Sequence, residues 1–343
     1  MPGLARSLRR QRKLRYNYAM LSEFDLIKQY FMRPPGTTVR RATLGIGDDC
    51  ALLTPAPGTQ MAISSDMLVE GRHFFAAADP RKLGHKCLAV NLSDLAAMGA
   101  RPVAFTLALA LPSAERSWLA GFSEGLFALA DAFECELIGG DTTKGPRNIS
   151  ITIFGEIEPG HALRRSGAQA GDDIWVSGTL GDARLALAGL REELVLDSDA
   201  LAAAAVRMHT PTPRVALGMA LAASGLARAA IDISDGLVGD LGHILAASGV
   251  GATLDVDVLP AGPVLATRPL SLRRQFTVAG GDDYELCFTA AASSSTRILA
   301  LAAAVATPVT RVGRIDVTPG LRFIDADAQT LELRLAGFDH FTS

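Results

Sequence analysis

An α/β (α+β) architecture in two domains is predicted for this 343-residue chain by three observations. Segments with helical and with strand periodicity mix in both halves. The length suits two domains of about 100–200 residues each. A Pro159-Gly160 break falls near the middle, between one run of elements and the next. The predicted division is a basic tail over 1–20, an N-terminal domain over 21–158 and a C-terminal α/β domain over 159–343.

The tail carries Arg6, Arg9, Arg10, Arg12, Lys13 and Arg15 without an acidic residue or an apolar stretch. It is therefore not a secretory leader. It reads as a disordered or overlong start, with Met20 a natural alternative start, although a basic tail can also touch RNA or a membrane. Ser22 caps a first helix with an apolar face of Phe24, Ile27, Tyr30 and Phe31, ending at Pro34-Pro35. Short apolar segments at 44–53 and 61–64 each run into acidic residues. Asp79-Pro80 supplies a cap and a first-turn proline for a helix that Gly99 stops. A strand at 103–111, a helix from Ser113 to about Phe133 and a strand at 134–138 follow, and 149–156 alternates as a strand should.

Past Pro159-Gly160 come a strand at 173–177 and helices at 183–190 and 201–208. The Thr210-Pro-Thr-Pro213 stretch resets the chain before a helix to about Ala223. A buried strand at 229–233 leads through Ser234-Asp235-Gly236 into a helix at 237–247. Strands at 277–279 and 284–289, a helix near 296–305 and two late strands complete the pattern.

Composition removes several classes of function. The net charge of -3 argues against a nucleic-acid binder held by a basic surface. No apolar run reaches the ~18 residues needed to span a bilayer, so no membrane partner is expected. The apolar runs at 200–206 and 298–306 read as buried helices. Cys50, Cys87, Cys135 and Cys287 are scattered without a CxxC pair. That pattern speaks against structural zinc and a disulfide framework, fits a reducing cytoplasm, and casts each cysteine as a small core or site-wall residue. A Walker A loop, the protein-kinase motif set and a Gly-x-Ser-x-Gly elbow are all missing.

Chemistry concentrates in Gly-Asp turns that the reading places at strand ends. They are Gly45-Ile46-Gly47-Asp48-Asp49, Ser64-Ser65-Asp66, Gly139-Gly140-Asp141, Asp232-Ile233-Ser234-Asp235-Gly236 and Gly280-Gly281-Asp282-Asp283. Asp94 lies within a helix among Leu92, Leu95 and Met98, where a carboxylate is costly unless paired or metal-bound. Two like charges at ~4 Å repel by roughly 4 kcal/mol at an effective dielectric of 20, so converging carboxylates need cations. Oxygen ligands without His or Cys point to Mg²⁺, and the neighbouring glycines let backbone N–H groups approach phosphate. Each turn alone is ordinary loop chemistry; together they suggest metal-assisted phosphate chemistry.

Six motifs extend this reading: LGIGDDCALL (44–53), SSDMLVEGRHF (64–74), KCLAVNLSDLAAMGARP (86–102), IGGDTTKGP (138–146), IDISDGLVGDLGHI (231–244) and GGDDYELCFT (280–289). In order, from about Ser22 to Phe341, the chain resembles the thiamine-monophosphate kinase family. That resemblance implies the two-domain fold of the aminoimidazole-ribonucleotide-synthetase-like superfamily. Its N-terminal domain would bind ATP and Mg²⁺, and its strands would pair across a homodimer. It also implies several Mg²⁺ ions, ATP as co-substrate and thiamine monophosphate as acceptor. By matching position, Asp49, Ser64, Ser65, Asp66, Asp94, Asp141, Asp232 and Asp235 are the implied metal set. Gly140, Asp141, Arg165 and Ser234 are implied to bind ATP, and His73, Asp282 and Phe338 the acceptor. The family often has glutamate at Asp282, and tyrosine or tryptophan at Phe338.

Sister families differ at readable places. Hydrogenase-maturation relatives end in a cysteine-bearing tail, selenophosphate synthetases carry a reactive Cys or selenocysteine before the first Gly-Asp turn, and the purine-pathway synthetase has another loop at 65–71. The implied reaction is direct transfer of the ATP γ-phosphoryl group to the acceptor's phosphate, without a covalent nucleophile on the protein. Metal-dependent phosphohydrolysis, another ATP-using activity of the superfamily, and silent ATP binding are the competing readings.

Overall fold

In the computed structural model, the Ser22 side chain accepts a 3.2 Å hydrogen bond from the Asp25 N–H and opens α1 (Glu23–Tyr30). The structure describes residues 22–34, 36 and 40–333, so the basic tail and Phe338 lie outside the described residues. The expected apolar face holds at Phe31, which is buried, and at Ile27 and Tyr30, which pack partly buried against the core, but Leu26 is buried in place of Phe24, which stays 79% exposed.

The N-terminal half continues with β1 (Ala42–Leu44), β2 (Leu52–Leu53), β3 (Gln60–Val69), α2 (Pro80–Met98), β4 (Arg101–Leu111), α3 (Arg116–Ala132), β5 (Glu136–Lys144) and β6 (Asn148–Ile157). Strands β3 and β5 run through their acidic motifs. Ser64-Ser65-Asp66 and Gly139-Gly140-Asp141 therefore lie inside strands and not at their ends. The sheet order is β3-β6-β4-β5, with only β4 and β5 parallel. Helices α2 and α3 cover one face, and their backbones approach at Gly84 and Gly125. A Cβ on Gly84 would lie 2.1 Å from the Phe122 carbonyl oxygen, and one on Gly125 would lie 1.8 Å from that of Arg81.

Local chemistry explains the length of α2. Asp79 Oδ1 accepts from the Arg81 and Lys82 N–H groups at 2.8 and 3.1 Å, Pro80 starts the first turn, and Gly99 (φ 72°) ends the helix in the left-handed region. Between these caps α2 is buried almost all round, because it also faces the second half of the chain.

That half contains β7 (Asp172–Ser177), α4 (Asp182–Leu190), α5 (Ser198–His209), α6 (Val215–Ser224), β8 (Ala227–Ile233), α7 (Leu237–Ser248) and β9 (Gly251–Asp255). There follow α8 (Leu270–Ala279), β10 (Glu285–Ala291), α9 (Ser295–Ala304), β11 (Val309–Asp316), β12 (Gly320–Ile324) and β13 (Thr330–Leu331). Residues 277–279, expected as strand, finish α8, and β9 and a third late strand were not foreseen. Helices α5 and α9 are amphipathic instead of wholly buried, with Ala204 and Met208 inside on one, Ile298 and Ala302 on the other. The seven strands order as β13-β12-β9-β11-β7-β10-β8, with β12 and β9 the parallel pair.

The two halves share a core. Leu88, Leu92 and Leu95 of α2 join Leu217 and Leu221 of α6, Trp175 of β7 and Phe288 of β10 in one cluster of buried side chains. Gly218 makes the α2–α6 crossing possible, since a Cβ there would lie 2.0 Å from the Ala96 carbonyl oxygen. No described helix is long and apolar enough to cross a membrane.

Candidate active site

A cleft of about 700 Å³ opens where β3, α2, α5 and the loops around β8 and β10 meet. One turn of α2 does much of its work. Asn91 Oδ1 accepts from the Asp66 N–H at 3.2 Å and its amide donates to the Cys87 carbonyl at 2.9 Å. Ser93 donates to Asp232 Oδ2 at 2.7 Å, and Asp94 accepts from the Ser64 hydroxyl of β3. The NLSD motif thus ties a strand of one half to a strand end of the other.

Asp66, Asp94, Asp232 and Asp235 all line this cleft. Burial, then repulsion from Asp94 and Asp235, pushes the Asp66 carboxyl up to about 6. Burial and then Asp94 push Asp232 up to about 7, against the Ser93 hydrogen bond. Asp94 is raised by burial too, opposed by the Ser64 hydroxyl and the Arg165 guanidinium. A group this reluctant to ionise is poised to receive cations. Among the described residues, no three His, Cys, Asp or Glu side chains converge enough to hold an ion by themselves. Such an all-oxygen, incomplete set fits Mg²⁺, which keeps several waters and relies on substrate phosphates for other ligands.

The IDISDGL and GGDDYEL motifs form the floor together. The Asp282 N–H donates to the Ser234 carbonyl and the Tyr284 N–H to that of Ile233, both at 2.8 Å. A Cβ on Gly281 would lie 2.6 Å from the Ser234 carbonyl oxygen, so only glycine allows this approach. Asp240, in the first turn of α7, accepts from the N–H groups of Ser234, Asp235 and Gly236 at 3.0–3.2 Å. Burial and the nearby Asp235 nevertheless raise Asp240 to about 7.

The remaining sequence candidates are spread more widely. His73 and Asp282 line the cleft, and His73 Nδ1 accepts from the Val69 N–H at 3.0 Å. Ser65 points to the opposite face of β3 from Ser64, as strand alternation requires, and its hydroxyl meets Thr152 Oγ1 at 3.0 Å. Asp49 and Asp141 are exposed and do not line the cleft. Gly140 (φ 150°) has a structural reason to be glycine, because a Cβ would lie 1.9 Å from the Leu107 carbonyl oxygen. Arg165, in the loop after β6, reaches the site electrostatically through Asp94.

Sequence reasoning missed the cationic side of the cleft, formed by Lys82, Lys86, Arg184 and Arg191. Helical spacing could have found part of it, since residues 82, 86, 90 and 94 recur every four and all line the cleft. It also missed that Asp283 and Glu285 are structural. Glu285 is fully buried, accepting from Arg207 at 2.9 Å, from Arg214 at 2.5 and 2.6 Å, and from the Ser177 hydroxyl at 2.6 Å. The expectation of four enclosed cysteines holds for three; Cys50 is exposed.

The model of AIR synthase related protein, N-terminal domain, matches residues 47–157, and that of the C-terminal domain matches residues 169–326. The thiamine-monophosphate kinase of Salmonella typhimurium is 44% identical over 326 residues, covering 94% of this chain and 98% of that protein. That of Escherichia coli K12 is 43% identical with the same coverage. Among solved structures, thiamine-monophosphate kinase from Stenotrophomonas maltophilia K279a superposes with a TM-score of 0.79 at 46% identity, covering 85% of this chain and 92% of that one. AaThiL, complexed with AMPPCP and TMP, gives 0.72 at 29% identity, covering 84% and 89%. The hydrogenase maturation protein HypE of Escherichia coli, at 19% identity and a TM-score of 0.75, shares the fold. Both halves of the AIR synthase related fold are present, and the chain belongs to the thiamine-monophosphate kinase family.

Proposed function

We propose that this chain transfers the γ-phosphoryl group of ATP directly to the phosphate of thiamine monophosphate, giving thiamine diphosphate and ADP. The observation that carries the reading is the set of buried, charge-averse carboxylates Asp66, Asp94 and Asp232 on one cleft wall. Asp49, Ser64, Ser65, Asp66, Asp94, Asp141, Asp232 and Asp235 would hold Mg²⁺, with Asp49, Ser65 and Asp141, none of which lines the cleft, recruited once phosphates bring ions. When bound, Mg²⁺ supplies charge neutralisation between the two phosphate groups. Gly140, Asp141, Arg165 and Ser234 would bind ATP, and His73, Asp282 and Phe338 the acceptor.

The acceptor brings its own nucleophile. A phosphate monoester has its second pKa near about 6 and is largely dianionic at neutral pH, so no protein base is required. The chain's work is alignment of two anions and exclusion of water. No protein nucleophile is expected either, since burial pushes the thiols of Cys87, Cys135 and Cys287 well up.

A homodimer through the N-terminal sheet is part of this reading. The sheet face away from α2 carries Ile63 (62% exposed) and Met67 (55%) beside Thr106, Ala108, Ser150 and Thr152, and among the described residues it is covered at its β1–β2 end. Division of the chain near Pro159-Gly160 and a cytoplasmic location complete the proposal. The test is chromatographic product analysis with ATP, Mg²⁺ and thiamine monophosphate. Inorganic phosphate without thiamine diphosphate would select a phosphohydrolase instead.

A further inference from the structure

The cleft's two ends differ in chemistry. The carboxylates sit at the Asp94 end of α2, while Lys86 lies eight residues earlier, about 12 Å along the helix axis. Lys86 is a nearly buried cation, with a side chain 6% exposed, and its Nζ lies 2.6 Å from Asp282 Oδ2. Among the described residues, Asp282 is the carboxylate that pairs with it. Burying an ammonium is costly unless it is paired. Asp282 supplies that partner and itself remains 30% exposed at the cleft.

The loop carrying Asp282 is itself constrained. Asp282 (φ 74°) and Tyr284 (φ 52°) both occupy the left-handed region that non-glycine residues avoid. The Tyr284 side chain interacts with the Asp282 carboxylate. Behind them, Arg207 donates to the Asp283 carbonyl at 2.8 Å, and the Gly181 N–H donates to the Asp283 carboxylate at 2.9 Å. Strain held in place by this many contacts at a cleft wall is the signature of a preorganised site.

We propose that Lys86 is a positioning residue which, with Tyr284, clamps Asp282 so that its carboxylate reads an N–H donor on the organic part of the acceptor. The inference rests on the kinase reading above and adds to it how the acceptor is chosen. With its charge offset by Lys86, Asp282 acts through direction and not through net charge, so it discriminates by hydrogen-bond geometry.

The test combines calorimetric binding of thiamine monophosphate without ATP with steady-state kinetics on the full chain. Lys86→Met, which keeps length and removes charge, should weaken thiamine monophosphate binding about tenfold and leave the KM for ATP within twofold. Lys86→Arg should recover part of that loss. Lys86→Met added to Asp282→Asn should cost little beyond Asp282→Asn alone, because Lys86 acts through Asp282. Tyr284→Phe leaves the ion pair intact and should weaken the same substrate about threefold, which keeps the test open should Lys86→Met fail to fold. Unchanged acceptor binding in these variants, an equal rise in the KM for ATP, or a full Lys86→Met effect in the Asp282→Asn background would overturn the clamp. A parent protein that binds thiamine monophosphate but makes no thiamine diphosphate would instead defeat the kinase reading and leave the binding comparison standing.

Discussion

Replacing Asp94 by asparagine keeps a side-chain oxygen for the Ser64 hydroxyl and removes the charge that repels both Asp66 and Asp232. Those two carboxyls stand at about 6 and about 7 instead of 3.8. One unit corresponds to 1.36 kcal/mol, and burial takes the largest share of each shift, with Asp94 second. Discounting further for solvent in the cleft, relief of the Asp94 repulsion is worth about 1–2 kcal/mol to the metal-free protein at pH 8. For a chain of 343 residues that is a rise in Tm of about 1–3 °C.

The sign of the pH dependence follows from linkage. Where the folded carboxyl holds its proton more tightly than the unfolded one, stability falls as pH rises from the unfolded value of 3.8 through the folded values of about 6 and 7. The advantage of Asp94→Asn should accordingly vanish near pH 4 and be full at pH 8. Differential scanning calorimetry in EDTA at both pH values measures it, while product formation should drop at least a hundredfold. A variant less stable than the parent at pH 8, or one that retains activity, refutes the assignment of Asp94 to a cation-binding cluster.

Three other outcomes are expected. Glu285→Ala leaves the guanidiniums of Arg207 and Arg214 without their buried partner; the loss of about 3–5 kcal/mol should appear as a Tm drop of about 4–7 °C. Gly218→Ala drives a methyl into the Ala96 carbonyl across the α2–α6 crossing and should cost about 1–3 kcal/mol in urea unfolding, an effect a surface glycine such as Gly239 would not show. Cys50→Ala should keep turnover within a few-fold of the parent, and chirally labelled ATP should give inversion at the γ-phosphorus; retention, or ³²P trapped on the protein, contradicts single displacement.

Much of the fold was legible because its caps are local. Ser22, the Asp79-Pro80 pair and Gly99 name their helix ends through short-range hydrogen bonds and backbone sterics. The acidic motifs were legible as chemistry but not as geometry. Asp66 and Asp141 were placed at strand ends because Gly and Ser next to Asp usually mark turns, whereas β3 and β5 run on, held by cross-strand pairing that no local pattern encodes. The stretch 277–279 misled for a related reason, since Thr277 and Val278 favour strands alone but finish an amphipathic helix in context. The two acids after Asp282 look equivalent to it in sequence. Only the fold shows Asp283 and Glu285 turned inward onto Gly181, Arg207 and Arg214. Lys86 went unread because an ion pair with a residue 196 positions away has no sequence signature.

The central claim is a phosphoryl transfer from ATP to a phosphate acceptor. Its most direct measurement is product analysis of the purified chain with [γ-³²P]ATP, Mg²⁺ and thiamine monophosphate. The account predicts label in thiamine diphosphate, stoichiometric with ADP and abolished by EDTA. Label appearing only in inorganic phosphate, or ADP formation unaffected by omitting thiamine monophosphate, would contradict it.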